Sequence, residues 1–216
     1  GKRWKNRATR GGVGVYVHKG IAPHVSVHKS MAKEEYGGLE EVMYVLVQEP
    51  GKVKKAFWNV YQPGAPYRRN EGIHMGIALT AIAEKTQELK SKGFEVYAGG
   101  DFNRQYHEQT EWSKKQREDT RELKGIMEQV GWVSAQHTVA DECAVVQSEH
   151  FTRGKQKRRR KRNTETGEME STVVIEKAQL DWVLVPQEAR IRGAIKYFRV
   201  DSTHSSWSDH CSMNLV

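Results

Sequence analysis

Apolar and small residues alternate with a period near two in the first of three early segments, and apolar residues crowd the other two. Gly11 to His18 (GGVGVYVH), Leu39 to Gln48 (LEEVMYVLVQ) and Lys55 to Tyr61 (KAFWNVY) therefore read as strands, the last two rich in β-branched and aromatic residues. Gln62 to Pro66 (QPGAP) reads as a loop, since two prolines and a glycine do not extend a strand. The period then changes. From Glu71 to Lys92 a helical stripe is predicted through Ile73, Ile77, Leu79, Thr80, Ala81, Ile82 and Leu89, with Gly93 as its stop. Phe94 to Ala98 is expected to form a short buried strand that ends at Gly99-Gly100. Ser113 to Val130 is a second predicted helix, where Ser113 and Gln116 fit a capping box and Gly131 fits the end.

Beyond the second helix the pattern returns to strands at Thr172 to Ile175, Gln179 to Val185 (QLDWVLV) and Met213 to Val216. His150 to Arg162 is strand-like but carries a basic run, and Asn163 to Ser171 is polar. Residues 153–171 accordingly read as a basic/polar insertion loop between two paired strands. There is no internal repeat and no linker, so a single domain over 1–216 is expected. Strands, two long helices and returning strands predict the α/β class, two sheets packed with flanking helices.

Composition modifies this picture in two places. The 216 residues are 37% hydrophobic and 29% charged, with no apolar run near membrane-spanning length. The basic start, Gly1 to Arg10, lacks the apolar stretch of a signal peptide. The net charge is +8, from 35 Lys and Arg against 27 Asp and Glu. Residues 153–162 (RGKQKRRRKR) hold 8 of those basic residues and residues 1–10 hold 5, which leaves 22 basic against 27 acidic elsewhere. The body is thus mildly acidic, and the basicity sits in segments that could add salt-sensitive affinity for phosphates, or could simply be solvated. Cys143 and Cys211 are the only cysteines and suit neither a zinc site nor a disulfide framework, so a reducing, intracellular compartment is expected. KQKRRRKR resembles a nuclear-localisation signal, a permissive pattern that favours the nucleus, with the mitochondrion as the alternative.

Candidate chemistry gathers in four short segments: Asn59 to Pro63 (NVYQP), Gly99 to Asn103 (GGDFN), Leu180 to Val185 (LDWVLV) and Ser208 to His210 (SDH). Singly each has a bland reading. Asp101 after two glycines suits a turn, and Asp209-His210 suits a cap. Asp181 among Leu, Trp and Val is costly to bury without a partner. In this order, however, Tyr-x-Pro, GDxN, LDxxLV and SDH resemble the motif series of the endonuclease/exonuclease/phosphatase superfamily. The resemblance runs from Gly11 to Val216 and is strongest to the endonucleases of LINE-type retrotransposons and to abasic-site endonucleases.

That resemblance implies a DNase I-like fold, a four-layer sandwich of two mixed β-sheets flanked by helices, and metal-dependent hydrolysis of phosphodiesters in DNA or RNA. It also implies roles. Asp101 would orient or deprotonate the attacking water. Asn103 would hydrogen-bond the scissile phosphate, and Tyr61 would contact the phosphate or the leaving oxygen. His210 would donate to the phosphate while Asp181 held its imidazole. Asp209 would ligate Mg²⁺, or Mn²⁺ in its place, since a hard ion prefers oxygen. Trp207 and His150, with Arg158, Arg159 and Arg160 of the basic run, are the candidate nucleic-acid contacts. Trp132 and Trp182 sit in apolar contexts and read as core.

One departure qualifies the resemblance. The family opens with a strand bearing Asn and another ending in Gln-Glu, whose Glu is the principal metal ligand, and neither motif occurs here. The N-terminal strands are therefore expected to be absent, and a preceding chain segment or a second polypeptide would complete the fold. Mg²⁺ binds weakly to one carboxylate, so Asp209 alone is not expected to hold it well. The rival readings are a catalytically inactive, domesticated copy serving as a structural or nucleic-acid-binding subunit, and a phosphatase or 3′ exonuclease on the same fold.

Overall fold

A computed structural model describes residues 14–28, 42–61, 75–104, 114–135, 153–162, 169–178, 181–194, 198–201 and 212–215. The chain divides into two compact units, Gly1–Asp101 and Phe102–Val216, and the division falls inside the GGDFN segment.

In the first unit four strands lie side by side in the order β1 (Val25–His28), β2 (Val42–Val47), β3 (Lys55–Tyr61) and β4 (Glu95–Asp101). Both β1–β2 and β2–β3 pair antiparallel, whereas β3 and β4 run parallel. The parallel pair needs a crossover, which helix α1 (Met75–Ser91) supplies. Alternation in β3 is kept in the fold: Ala56, Trp58 and Val60 are buried while Lys55, Phe57 and Tyr61 are exposed. The buried face of α1 comprises Leu79, Ile82, Ala83, Thr86 and Leu89, a helical spacing, and each large apolar side chain there contributes about 2 kcal/mol through burial. Thr86 Oγ1 accepts the indole N–H of Trp58 at 3.0 Å, which ties helix to sheet. Thr80, expected on the apolar stripe, is exposed instead. Ile73 lies outside the described residues. The predicted stop holds: Gly93 has φ +81°, and the bonds Gly93 N–H to Lys90 O and Phe94 N–H to Leu89 O close a Schellman motif.

Two strand expectations need correction in this unit. Gly14–His18 is not a strand. The carbonyl of Gly14 accepts from the Asn59 side chain at 2.9 Å, not from a backbone ladder, and Tyr16 is fully exposed. Alternation alone cannot tell a paired strand from an extended segment. Strand β4, in turn, does not end at Gly99-Gly100 but continues through both to Asp101.

The second unit contains α2 (Lys114–Val130), β5 (Trp132–Ser134), β6 (Arg153–Arg162), β7 (Met169–Ala178), β8 (Asp181–Pro186), α3 (Gln187–Ile191), β9 (Phe198–Asp201) and β10 (Ser212–Leu215). Strand β5 pairs antiparallel with β8, β6 with β7, and β9 with β10. Thr120, Leu123, Ile126, Met127 and Val130 form the buried stripe of α2, and Gly131 at φ +69° comes directly after it. Its proposed cap, Ser113, lies outside the described residues. Trp132 and Trp182 are both core residues, as expected.

The basic run is the main difference. Residues 153–162, expected within an insertion loop, are a ten-residue strand in full register with β7, from Arg153↔Ala178 to Arg162↔Met169. A backbone ladder needs a partner rather than an apolar sequence, and the β-branched stretch Thr172, Val173, Val174, Ile175 provides one.

Candidate active site

In the first unit the last residues of the parallel pair β3 and β4 are Tyr61 and Asp101, and they are Cα partners in the ladder. Two candidate groups that are 40 positions apart in the chain are thus neighbours at the carboxyl ends of adjacent parallel strands, where open α/β sheets place their ligands. Tyr61 is exposed at 36%, and Asp101 is half-buried.

The local sequence explains how β4 reaches this point. Gly100 has φ +133°, and a Cβ there would lie 1.9 Å from the Val60 carbonyl oxygen. No side chain fits that approach, so glycine is required for β4 to run against β3 as far as Asp101.

In the second unit the chain leaves the strand through Phe102, Asn103 and Arg104. Phe102 is buried at 1%, and Asn103 takes the left-handed conformation at φ +47°, which asparagine tolerates better than most residues. Arg104 is 2% exposed, and its Nη2 donates to Glu122 Oε2 of α2 at 3.2 Å. Its carbonyl accepts the indole N–H of Trp182 at 2.8 Å. Asp181 opens β8 and is itself buried, at 8%.

The described residues therefore include Tyr61, Asp101, Asn103 and Asp181, each at the end of a strand or in the turn beyond one. Asp209, His210, Trp207 and His150 lie outside them. Arg158, Arg159 and Arg160 fall in β6, opposite Val173, Thr172 and Ser171. Among the described residues no group of three or more His, Cys, Asp or Glu is placed to hold a metal ion. Sequence reasoning missed Gly100 as a steric requirement, and Arg104 and Glu122 as a partly buried ion pair. Nothing in the local sequence marks Arg104, because its burial comes from α2 and β8. Trp182 was recognised as core, but not as a hydrogen-bond donor.

No protein-family model and no curated protein matches this sequence. Solved structures do match. The catalytic domain of APE2 from Xenopus laevis superposes with a TM-score of 0.57 at 13% identity, over 86% of this chain and 59% of that one. An AP endonuclease from Archaeoglobus fulgidus gives 0.52 at 14%, over 89% and 69%. The 3′ phosphatase NExo from Neisseria, bound to product DNA hairpin, gives 0.52 at 15%, over 88% and 69%. These likenesses show the fold: the chain is α/β and DNase I-like.

Proposed function

We propose that this chain carries the phosphate-handling half of a nuclease that hydrolyses phosphodiester bonds in nucleic acid, DNA foremost and RNA as the alternative. The observation that carries the reading is the pairing of Tyr61 with Asp101 at the carboxyl ends of parallel strands in a DNase I-like fold. Hydrolysis needs an activated water, donors for a phosphorane that gains negative charge, and help for the departing oxygen. Asp101 accepts the proton of the attacking water and aims its lone pair at phosphorus. Asn103 donates from its side-chain amide to a non-bridging oxygen, and His210, oriented by Asp181, donates to another. The Tyr61 hydroxyl stabilises the oxygen whose bond to phosphorus breaks. Mg²⁺, or Mn²⁺, is assigned to Asp209, and when bound it would neutralise charge on the phosphate. Trp207, His150 and Arg158 to Arg160 are assigned to the nucleic acid, and the basic run to a nuclear address.

Nicking of supercoiled plasmid in the presence of Mg²⁺ tests the reading. Asp101→Ala and Asn103→Ala should each lower the rate by at least about a hundredfold. Intact plasmid with the native protein, indistinguishable from both variants, would remove the nuclease assignment and favour the structural or nucleic-acid-binding subunit. Cleavage of RNA or release of phosphate from inositol phosphates, with plasmid left intact, would move the activity to the other chemistries of this fold.

A further inference from the structure

We propose that Trp182 is a positioning residue: its indole N–H fixes the turn that presents Asn103, and thereby sets Asn103 and Asp181 in one frame. The inference rests on the nuclease reading for its catalytic consequence, but not for its structural part.

Asn103 sits at φ +47° in a turn after a strand, a conformation that the local sequence does not enforce. The next residue, Arg104, is held from two directions. Its guanidinium is buried and bonded to Glu122 of α2, while its carbonyl accepts the Trp182 indole N–H at 2.8 Å. That second bond joins positions 78 apart in the chain, and Trp182 is completely buried. The donor's neighbour in β8 is Asp181 and the acceptor's neighbour in the turn is Asn103. A single side chain to backbone bond therefore couples the two segments that carry candidate catalytic groups. A purely apolar role for Trp182 would need ring volume alone. The N–H directed at a backbone carbonyl supplies direction as well, and catalytic amides tolerate little displacement.

The test separates ring from donor. In the native polypeptide, Trp182→Phe removes the N–H along with part of the ring. Replacement of Trp182 by β-(3-benzothienyl)alanine removes the N–H and keeps the bicyclic shape, which guards against simple misfolding. With the benzothienyl protein folded, kcat for plasmid nicking is expected to fall about 10- to 100-fold while KM stays within about twofold, because the loss falls on orientation rather than on uniform binding. The Asn103 backbone ¹³Cα and ¹³C′ resonances are expected to shift away from left-handed values in the same protein. Unchanged Asn103 resonances would overturn the proposal whatever the activity. Shifted resonances with unchanged kcat would also overturn it, since the bond would then position nothing that matters. If the native protein does not nick plasmid at all, the nuclease reading fails by itself, and the Asn103 resonances alone decide whether Trp182 holds the turn.

Discussion

In the first unit Asp101 is placed by backbone, and in the second Asn103 is placed by side chains. Strand β4 brings Asp101 beside Tyr61 through ladder register, and Gly100 makes that register sterically feasible. Two residues later the ladder has ended. The turn at Asn103 is then secured by Trp182 from β8 and by Glu122 from α2. A ladder is periodic, and at the end of this one the tolerance is set by one close approach, Gly100 against the Val60 carbonyl. The turn depends on bonds between distant segments, so its tolerance is spread over several side chains.

The largest expected effect breaks the backbone side of this comparison. Gly100→Ala forces a methyl into the Val60 carbonyl at a backbone angle that alanine avoids, and should cost about 3 kcal/mol or more in urea unfolding, with loss of any nicking activity. A loss under about 1 kcal/mol would mean that the two strands separate easily there, and that register does not fix Asp101. On the side-chain side, Glu122→Ala removes the α2 partner of the buried Arg104. About 2 kcal/mol is expected, reduced from the cost of a fully buried pair because the Glu122 side chain is 35% exposed. An unchanged midpoint would show that the turn does not depend on the Glu122 carboxylate. Asn103→Ala should cost about 1 kcal/mol through its left-handed backbone, whereas Asn103→Gly should be near neutral in stability. Both should be equally poor nucleases, and a difference between them in nicking rate would show that the turn conformation, not the amide, sets the activity.

The smallest effect lies away from both sites and serves as a control. Hydrogen bonds from Lys85 and then Lys92 hold the Glu88 carboxyl at about 2, below its ordinary value of 4.5. A depressed carboxylate stabilises the fold above its ordinary value, and that contribution is lost as the pH falls from 4.5 through about 2. The Glu88 side chain is 42% exposed, so the effect should be slight and should vanish in high salt. The melting temperatures of Glu88→Gln and the native protein should converge below that window. A gap that persists there would show that Glu88 acts through something other than its charge.

Much of the fold was legible in the residues. The β3 alternation, the α1 and α2 stripes and their glycine stops rest on local periodicity and backbone preference, which a sequence displays directly. Tyr61, Asp101 and Asn103 stood out as polar groups where a strand gives way to a loop, and Asp181 as a carboxylate among apolar neighbours. The failures have one cause. Gly14–His18 has the alternation of a strand without a ladder, and Arg153–Arg162 has a ladder without the alternation. Pairing depends on the neighbouring segment, and no segment encodes its own neighbour. Local sequence supplied the candidates for handling a phosphate. Only the tertiary structure decided that Gly100 must be glycine, that Arg104 is buried, and that the Trp182 indole reaches a carbonyl 78 residues away, because each of these is a contact between atoms that the chain order keeps apart.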